Sequence, residues 1–169
     1  MQLNHYNTTF KKHKHPITVV CDNVTNAPNI GSLFRIADAF GVEKLVFTGK
    51  HLPIPSRKMQ KTSRATEKYV EYAIKENIQT YLDTVKDTHQ IISLEISDNS
   101  TPIQAFQFNF NTPIVLIIGD ENFGVSENTL QQSNTILHIN MFGNNSSMNV
   151  VQATNIALYE ITKQFQKQL

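Results

Sequence analysis

Three short stretches of this chain combine side chains that can do chemistry with backbone that can bend around a ligand. The first carries Asn29, Gly31 and Arg35. Arg35 follows Asn29 by six residues, so on a helix the two lean toward one side. An arginine there is usually a surface residue laid along apolar neighbours; it gains a chemical role only if an anionic substrate meets it. The second stretch is Gly119-Asp120-Glu121-Asn122-Phe123-Gly124-Val125-Ser126. A phosphate-binding loop needs Lys and then Ser or Thr after its second glycine. Val125 stands at the lysine position, and no Gly-x-Gly-x-x-Gly follows any predicted strand. Asp120 and Glu121 therefore suit a ligand other than a polyphosphate, with a bound cation or a plain surface turn as the other readings. The third stretch runs from Ile139 through Gly143, Asn144, Asn145, Ser146, Ser147 and Met148 to Asn149 and Val150. Gly and Asn tolerate left-handed backbone angles, so this loop can turn sharply, and either Ser147 or Asn149 can cap a following helix.

The elements that must position these loops are read from periodicity. Ile17–Cys21 and Lys44–Phe47 are short β-branched or apolar runs, and Pro113–Ile118 holds no polar residue at all, as a strand buried on both faces requires. Ile30, Leu33, Phe34, Ala37 and Phe40 share one helical face, beginning near Asn29 and stopped by Gly41. Val150, Ala153, Ala157, Ile161 and Phe165 line a C-terminal helix. Further strands are expected at 69–74 and 90–94, a helix at 78–86 and a short helical turn at 102–106. Strands alternating with helices give an α/β class, a mainly parallel sheet flanked by helices. The three loops then leave strands at their carboxyl ends, where open α/β sheets bind ligands.

At 169 residues the chain suits one domain, a basic arm over 1–15 followed by a single domain over 16–169. Lys11, Lys12, His13, Lys14 and His15 read as a solvated arm; with no carboxylate or cysteine among them, a metal site is disfavoured. The net charge of +1 means that contacts to nucleic acid must come from local clusters. One such cluster is the polar stretch 49–68, read as an irregular loop, in which Arg57, Lys58, Lys61, Arg64 and Lys68 suit either solvent or a phosphate backbone. Cys21 is the single cysteine, which excludes an intrachain disulfide. No signal-like or membrane-spanning run appears, so the expectation is a cytoplasmic protein without membrane contact.

Taken in order, Asn29-x-Gly31-x-x-x-Arg35, Gly119-x-Glu121-x-x-Gly124-Val125 and Ile139-x-Met141-x-Gly143 with Ser147-Met148-Asn149-Val150 resemble the three motifs of the SpoU (TrmH-like) RNA ribose 2'-O-methyltransferases, of the SPOUT class. The resemblance spans roughly residues 16–162. It implies a C-terminal deep trefoil knot, S-adenosylmethionine bound in that knot, and a homodimer. By motif, Leu94, Gly119, Ile139 and Met148 are the expected cofactor-binding residues. Arg35, Asn29, Glu121, Ser147 and Asn149 are the expected catalytic or site-organising ones, and no metal is implied. Arg57, Lys58, Lys61 and Arg64 are expected to hold RNA, with tRNA favoured over rRNA. The chain departs from the family pattern where the usual Ile-Pro-Met reads Ile139-Asn140-Met141, where Ser-Leu-Asn reads Ser147-Met148-Asn149, and at Val151, often Ser. A non-catalytic RNA-binding protein and a small-molecule methyltransferase are the competing expectations. Cofactor binding bears on the first, and transfer to free nucleosides on the second.

Overall fold

The run Ile114–Ile118 forms a strand with every residue buried, and it is the middle strand of seven. A computed structural model describes residue 8 and residues 10–167. In chain order the strands are β1 (His15–Asp22), β2 (Val42–Thr48), β3 (Glu71–Lys75), β4 (Gln90–Leu94), β5 (Thr101–Pro102), β6 (Ile114–Ile118) and β7 (Thr135–His138). They pair in the order β3-β2-β1-β6-β4-β7-β5, and every pairing is parallel. The helices are α1 (Ala27–Ala39), α2 (Arg57–Ser63), α3 (Ile78–Val85), α4 (Glu127–Gln131) and α5 (Val150–Gln166).

Alternation along the strands divides the core in two. Ile114, Leu116 and Ile118 of β6 join Val19, Cys21, Leu45 and Phe47 beneath α1 and α5. Val115 and Ile117 turn to the other face, with Val20, Val46 and the α3 residues Ile78, Leu82 and Val85. Both faces of the central strands are thus covered, as a parallel sheet demands.

The helix expected from Asn29 begins earlier, at Ala27. Asn26 caps it, its side chain accepting from the Asn29 amide at 3.1 Å, and Pro28 sits in the first turn. Gly41, at φ +59°, ends it as expected. Asn149, rather than Ser147, caps α5, its Oδ1 accepting from the Val151 amide at 2.9 Å.

Two expectations need correction. The stretch 49–68 is not a continuous loop: it contains α2 and a short 3-10 turn at 66–68. Ser56 caps α2, and Met59, fully buried, anchors it to the core, so one apolar side chain organises an otherwise polar sequence. Gly31 lets α2 approach α1, because a Cβ at that position would stand 2.1 Å from the Met59 carbonyl oxygen. The arm also ends sooner than expected. His15 is the buried first residue of β1, its ring 4.6 Å from Phe165 of α5 and 4.5 Å from His13. Of the remainder of the arm, residues 1–7 and 9 lie outside the described residues. No described helix is long and apolar enough to cross a membrane.

Candidate active site

The carboxyl ends of β4, β6 and β7 surround a cavity of about 360 Å³. Leu94, Gly119, Ile139 and Met148 all line it, joined by Glu121 and Ser147. Two loops form its main walls. In the first, residues 119–126, the chain doubles back through an antiparallel bridge between Asp120 and Gly124. Asp120 Oδ1 accepts from the amides of Asn122 at 2.8 Å and Phe123 at 3.0 Å, so this carboxylate builds the turn. A Cβ on Gly119 would stand 2.2 Å from the Gly124 carbonyl carbon, so residue 119 must be glycine for the loop to fold back. Glu121 is free to point elsewhere.

It points to Asn29. Asn29 Nδ2 donates to Glu121 Oε1, and Asn149 Nδ2 donates to Asn29 Oδ1 at 3.4 Å. Three residues remote in sequence, at the start of α1, in the β6 loop and at the cap of α5, therefore form one hydrogen-bonded row at the cavity's edge. Glu121 is engaged with Asn29, and no bond joins it to Arg35.

Arg35 does not line this cavity. It projects from the outer side of α1 into a neighbouring hollow of about 480 Å³, shared with Ser32, Lys61, Thr62, Arg64 and Val151. The two hollows lie on either side of the first turn of α5: Val150 lines one and Val151 the other. Arg57 and Lys58 lie exposed on the first turn of α2, outside that lining. Among the described residues, none of these five cations forms an ion pair. Thr62 Oγ1 donates to the Pro28 carbonyl at 2.9 Å and fixes α2 beside the start of α1.

Residues outside the expected set also belong to the site. Glu95, just after β4, lines the cavity, and its Oε2 accepts from the Val125 amide at 2.8 Å. His138, the last residue of β7, lines it as well. The only signal for either in the sequence is its position at a strand's carboxyl end. Asp22, at the corresponding end of β1, is buried. Burial raises its carboxyl above the usual range; a hydrogen bond from Thr48 Oγ1 at 2.8 Å opposes this, and nearby Asp120 adds to the rise.

Fold and site together define an α/β domain with a ligand cavity at strand ends and a cationic hollow beside it. The family model described as the SpoU rRNA Methylase family matches residues 16–159, and the chain belongs to that family. It is 28% identical over 167 residues to the tRNA (guanosine(18)-2'-O)-methyltransferase of Aquifex aeolicus, covering 96% of this chain and 76% of that protein. It is 26% identical to a 23S rRNA (guanosine-2'-O-)-methyltransferase of Haemophilus ducreyi, covering 96% of this chain and 67% of that protein. An uncharacterized tRNA/rRNA methyltransferase of Synechocystis is also 26% identical, but the match spans only 38% of its length. Among solved structures, the A. aeolicus TrmH/SpoU tRNA modifying enzyme superposes with a TM-score of 0.81 at 28% identity, covering 93% of this chain and 79% of that one. An AdoMet-bound rRNA methyltransferase from Sinorhizobium meliloti shares the fold, with a TM-score of 0.80 at 20% identity over 90% of this chain and 61% of that one.

Proposed function

We propose that the chain is an S-adenosylmethionine-dependent RNA ribose 2'-O-methyltransferase acting on tRNA. The observation that carries this reading is the placement of the two hollows on neighbouring residues of α5, with the Asn149–Asn29–Glu121 row tying the α5 cap and the start of α1 to the cavity wall. The cavity suits the cofactor by its donor set: it is lined by Glu95, Asp120 and Glu121 but by no Lys or Arg, which fits a cationic sulfonium better than a polyphosphate. When bound, the cofactor supplies an electrophilic methyl group. Leu94, Gly119, Ile139 and Met148 enclose it.

The other half of the reaction needs a ribose hydroxyl held in line and an anionic backbone held in place. Arg35, Lys61 and Arg64 supply the cations for the backbone. A guanidinium keeps its proton near neutral pH, so Arg35 serves by stabilising negative charge as the hydroxyl attacks and by holding the adjacent phosphate. Asn29 and Asn149 orient the ribose by neutral hydrogen bonds, with Glu121 fixing Asn29 and Ser147 facing the cofactor side. Arg57 and Lys58 extend the phosphate-binding surface along α2.

Two further features of the family reading have support. The strand β7 lies between β4 and β5, which residues 95–100 connect, so the chain leaving β7 must pass that connection; this favours a trefoil knot. Ile156 and Tyr159 on α5 are 39% and 60% exposed, an apolar surface that supports a homodimer, whose mass light scattering would read. The choice of tRNA follows the fuller coverage of the A. aeolicus relative. It is tested by incubating the protein and methyl-labelled cofactor with separated tRNA and rRNA fractions. Label confined to tRNA is expected; label confined to rRNA would overturn the choice of substrate.

A further inference from the structure

The connection 95–100 runs between the two cavity loops and is bonded toward both. On one side Glu95 accepts from Val125, as described. On the other, His138 Nδ1 lies 2.9 Å from Ser100 Oγ, and His138 Nε2 lies 3.0 Å from the side-chain oxygen of Asn140. Ser100 is itself held by the turn it closes. The Ser100 hydroxyl donates to the Ser97 carbonyl at 2.6 Å, and its oxygen accepts from the Ser97 amide at 3.0 Å. The Ser100 hydroxyl has one hydrogen to give, and the Ser97 carbonyl also accepts from the Ser100 amide at 3.1 Å, so the hydroxyl can either donate to Nδ1 or accept from it. With Nε2 protonated the ring donates to the Asn140 oxygen; with Nδ1 protonated a half-turn of the near-symmetrical Asn140 amide lets Nε2 accept. Both contacts therefore hold in either tautomer.

We infer that His138, acting through Ser100 and Asn140, is a positioning residue that sets the cofactor affinity of this cavity. The inference rests on the cavity being the S-adenosylmethionine site. Loop 139–149 has little packing of its own: its middle is exposed, and nothing lies within 4 Å of a Cβ placed on Gly143. Asn149 fixes the end of this loop as the cap of α5, while the His138 tie fixes its beginning against the 95–100 connection. Between these anchors lie Met141, Ser146, Ser147 and Met148, which line the cavity. Without the tie, the loop must be ordered when the ligand binds, and that cost falls on binding rather than on the chemical step.

Calorimetric titration of S-adenosylmethionine into the wild type, His138→Ala, Ser100→Ala, the double variant and His138→Asn tests this. Loss of one such hydrogen bond is expected to weaken Kd by about tenfold in each alanine variant. The double variant should be no weaker than the weaker single, because the same bond is removed twice. His138→Asn, whose amide can donate or accept from nearly the place of Nδ1, should recover most of the affinity. At saturating cofactor, Ser100→Ala, which lies outside the cavity lining, should keep kcat within about twofold. Ser100→Ala also serves if His138→Ala fails to fold. Single variants that bind like the wild type, or additive losses in the double, would overturn the inference while leaving the proposed function intact. A wild type that binds no S-adenosylmethionine would remove both.

Discussion

Arg35 and Asn29 lie on the same helix, but Arg35 lines the cationic hollow whereas Asn29 is bonded to Glu121 of the cavity wall, and this division decides what an Arg35 substitution should do. Arg35 is exposed and lines only the cationic hollow, so Arg35→Ala should abolish methyl transfer while cofactor affinity stays within about twofold. Filter binding and calorimetry on the same preparation would check the two halves; near-normal turnover would place the acceptor site elsewhere. The site was legible in the sequence where chemistry depends on residue type. Gly119 and Glu121 stand out just past an apolar strand, and Asn149 as a candidate helix cap. Glu95 and His138 did not, because their roles depend on partners thirty or more residues away: Val125 for one, Ser100 for the other. The reason for Gly119 was also hidden. Its lack of a side chain is required by Gly124 and Val125 across the turn, a contact that no local pattern reveals.

At the scale of elements, α2 changes the meaning of the basic stretch. On a helix anchored by Met59, Lys61 and Arg64 face the hollow beside Arg35, while Arg57 and Lys58 stand at the helix start. Replacing all four by Gln should weaken RNA binding at low salt and reduce the slope of log K against log salt by up to about 3 units for four phosphate contacts. Calorimetric affinity for the cofactor should not change. An unaltered salt slope would remove this surface from the RNA site. Helix α2 escaped the pattern because seven residues with one buried apolar side chain give no periodicity. The helix α4 and the two-residue β5 are too short for the same reason, whereas β6 and α5 were long and apolar enough to read. The junction of β1 with α5 makes a different prediction. Burial, with His13 beside it, holds the His15 imidazole below its ordinary value of 6.5, and its Nδ1 has no hydrogen-bond partner. As pH falls below 6.5 the unfolded chain takes up a proton that the fold resists. This contribution to stability is therefore full above that pH and is lost through the window down to the lowered value. His15→Phe should remove this acid loss of stability and leave methyl transfer unchanged. Thermal unfolding between pH 5 and pH 7.5 would show it, and a pH dependence equal to the wild type's would assign the loss to other groups.

For the whole molecule, the parallel sheet places three separated loops at one edge, and this alone makes a site from segments up to 120 residues apart. Alternation of strands and helices made the α/β class and the parallel sheet readable. It did not reveal that β7 would insert between β4 and β5, since strand order depends on packing across the whole sheet. That insertion brings loop 139–149 to the same cavity as loop 119–126 and leaves the cationic hollow as the neighbouring surface. The acceptor proposed beside the cofactor cavity is a ribose hydroxyl. The most direct test is nucleoside mass spectrometry of a substrate RNA after incubation with the protein and isotope-labelled S-adenosylmethionine, beside the same RNA carrying 2'-deoxyribose at the target nucleotide only. Label is expected solely as 2'-O-methylribose in the first RNA and absent from the second, although both bind. Label on a base, or any methylation of the deoxy target, would contradict it.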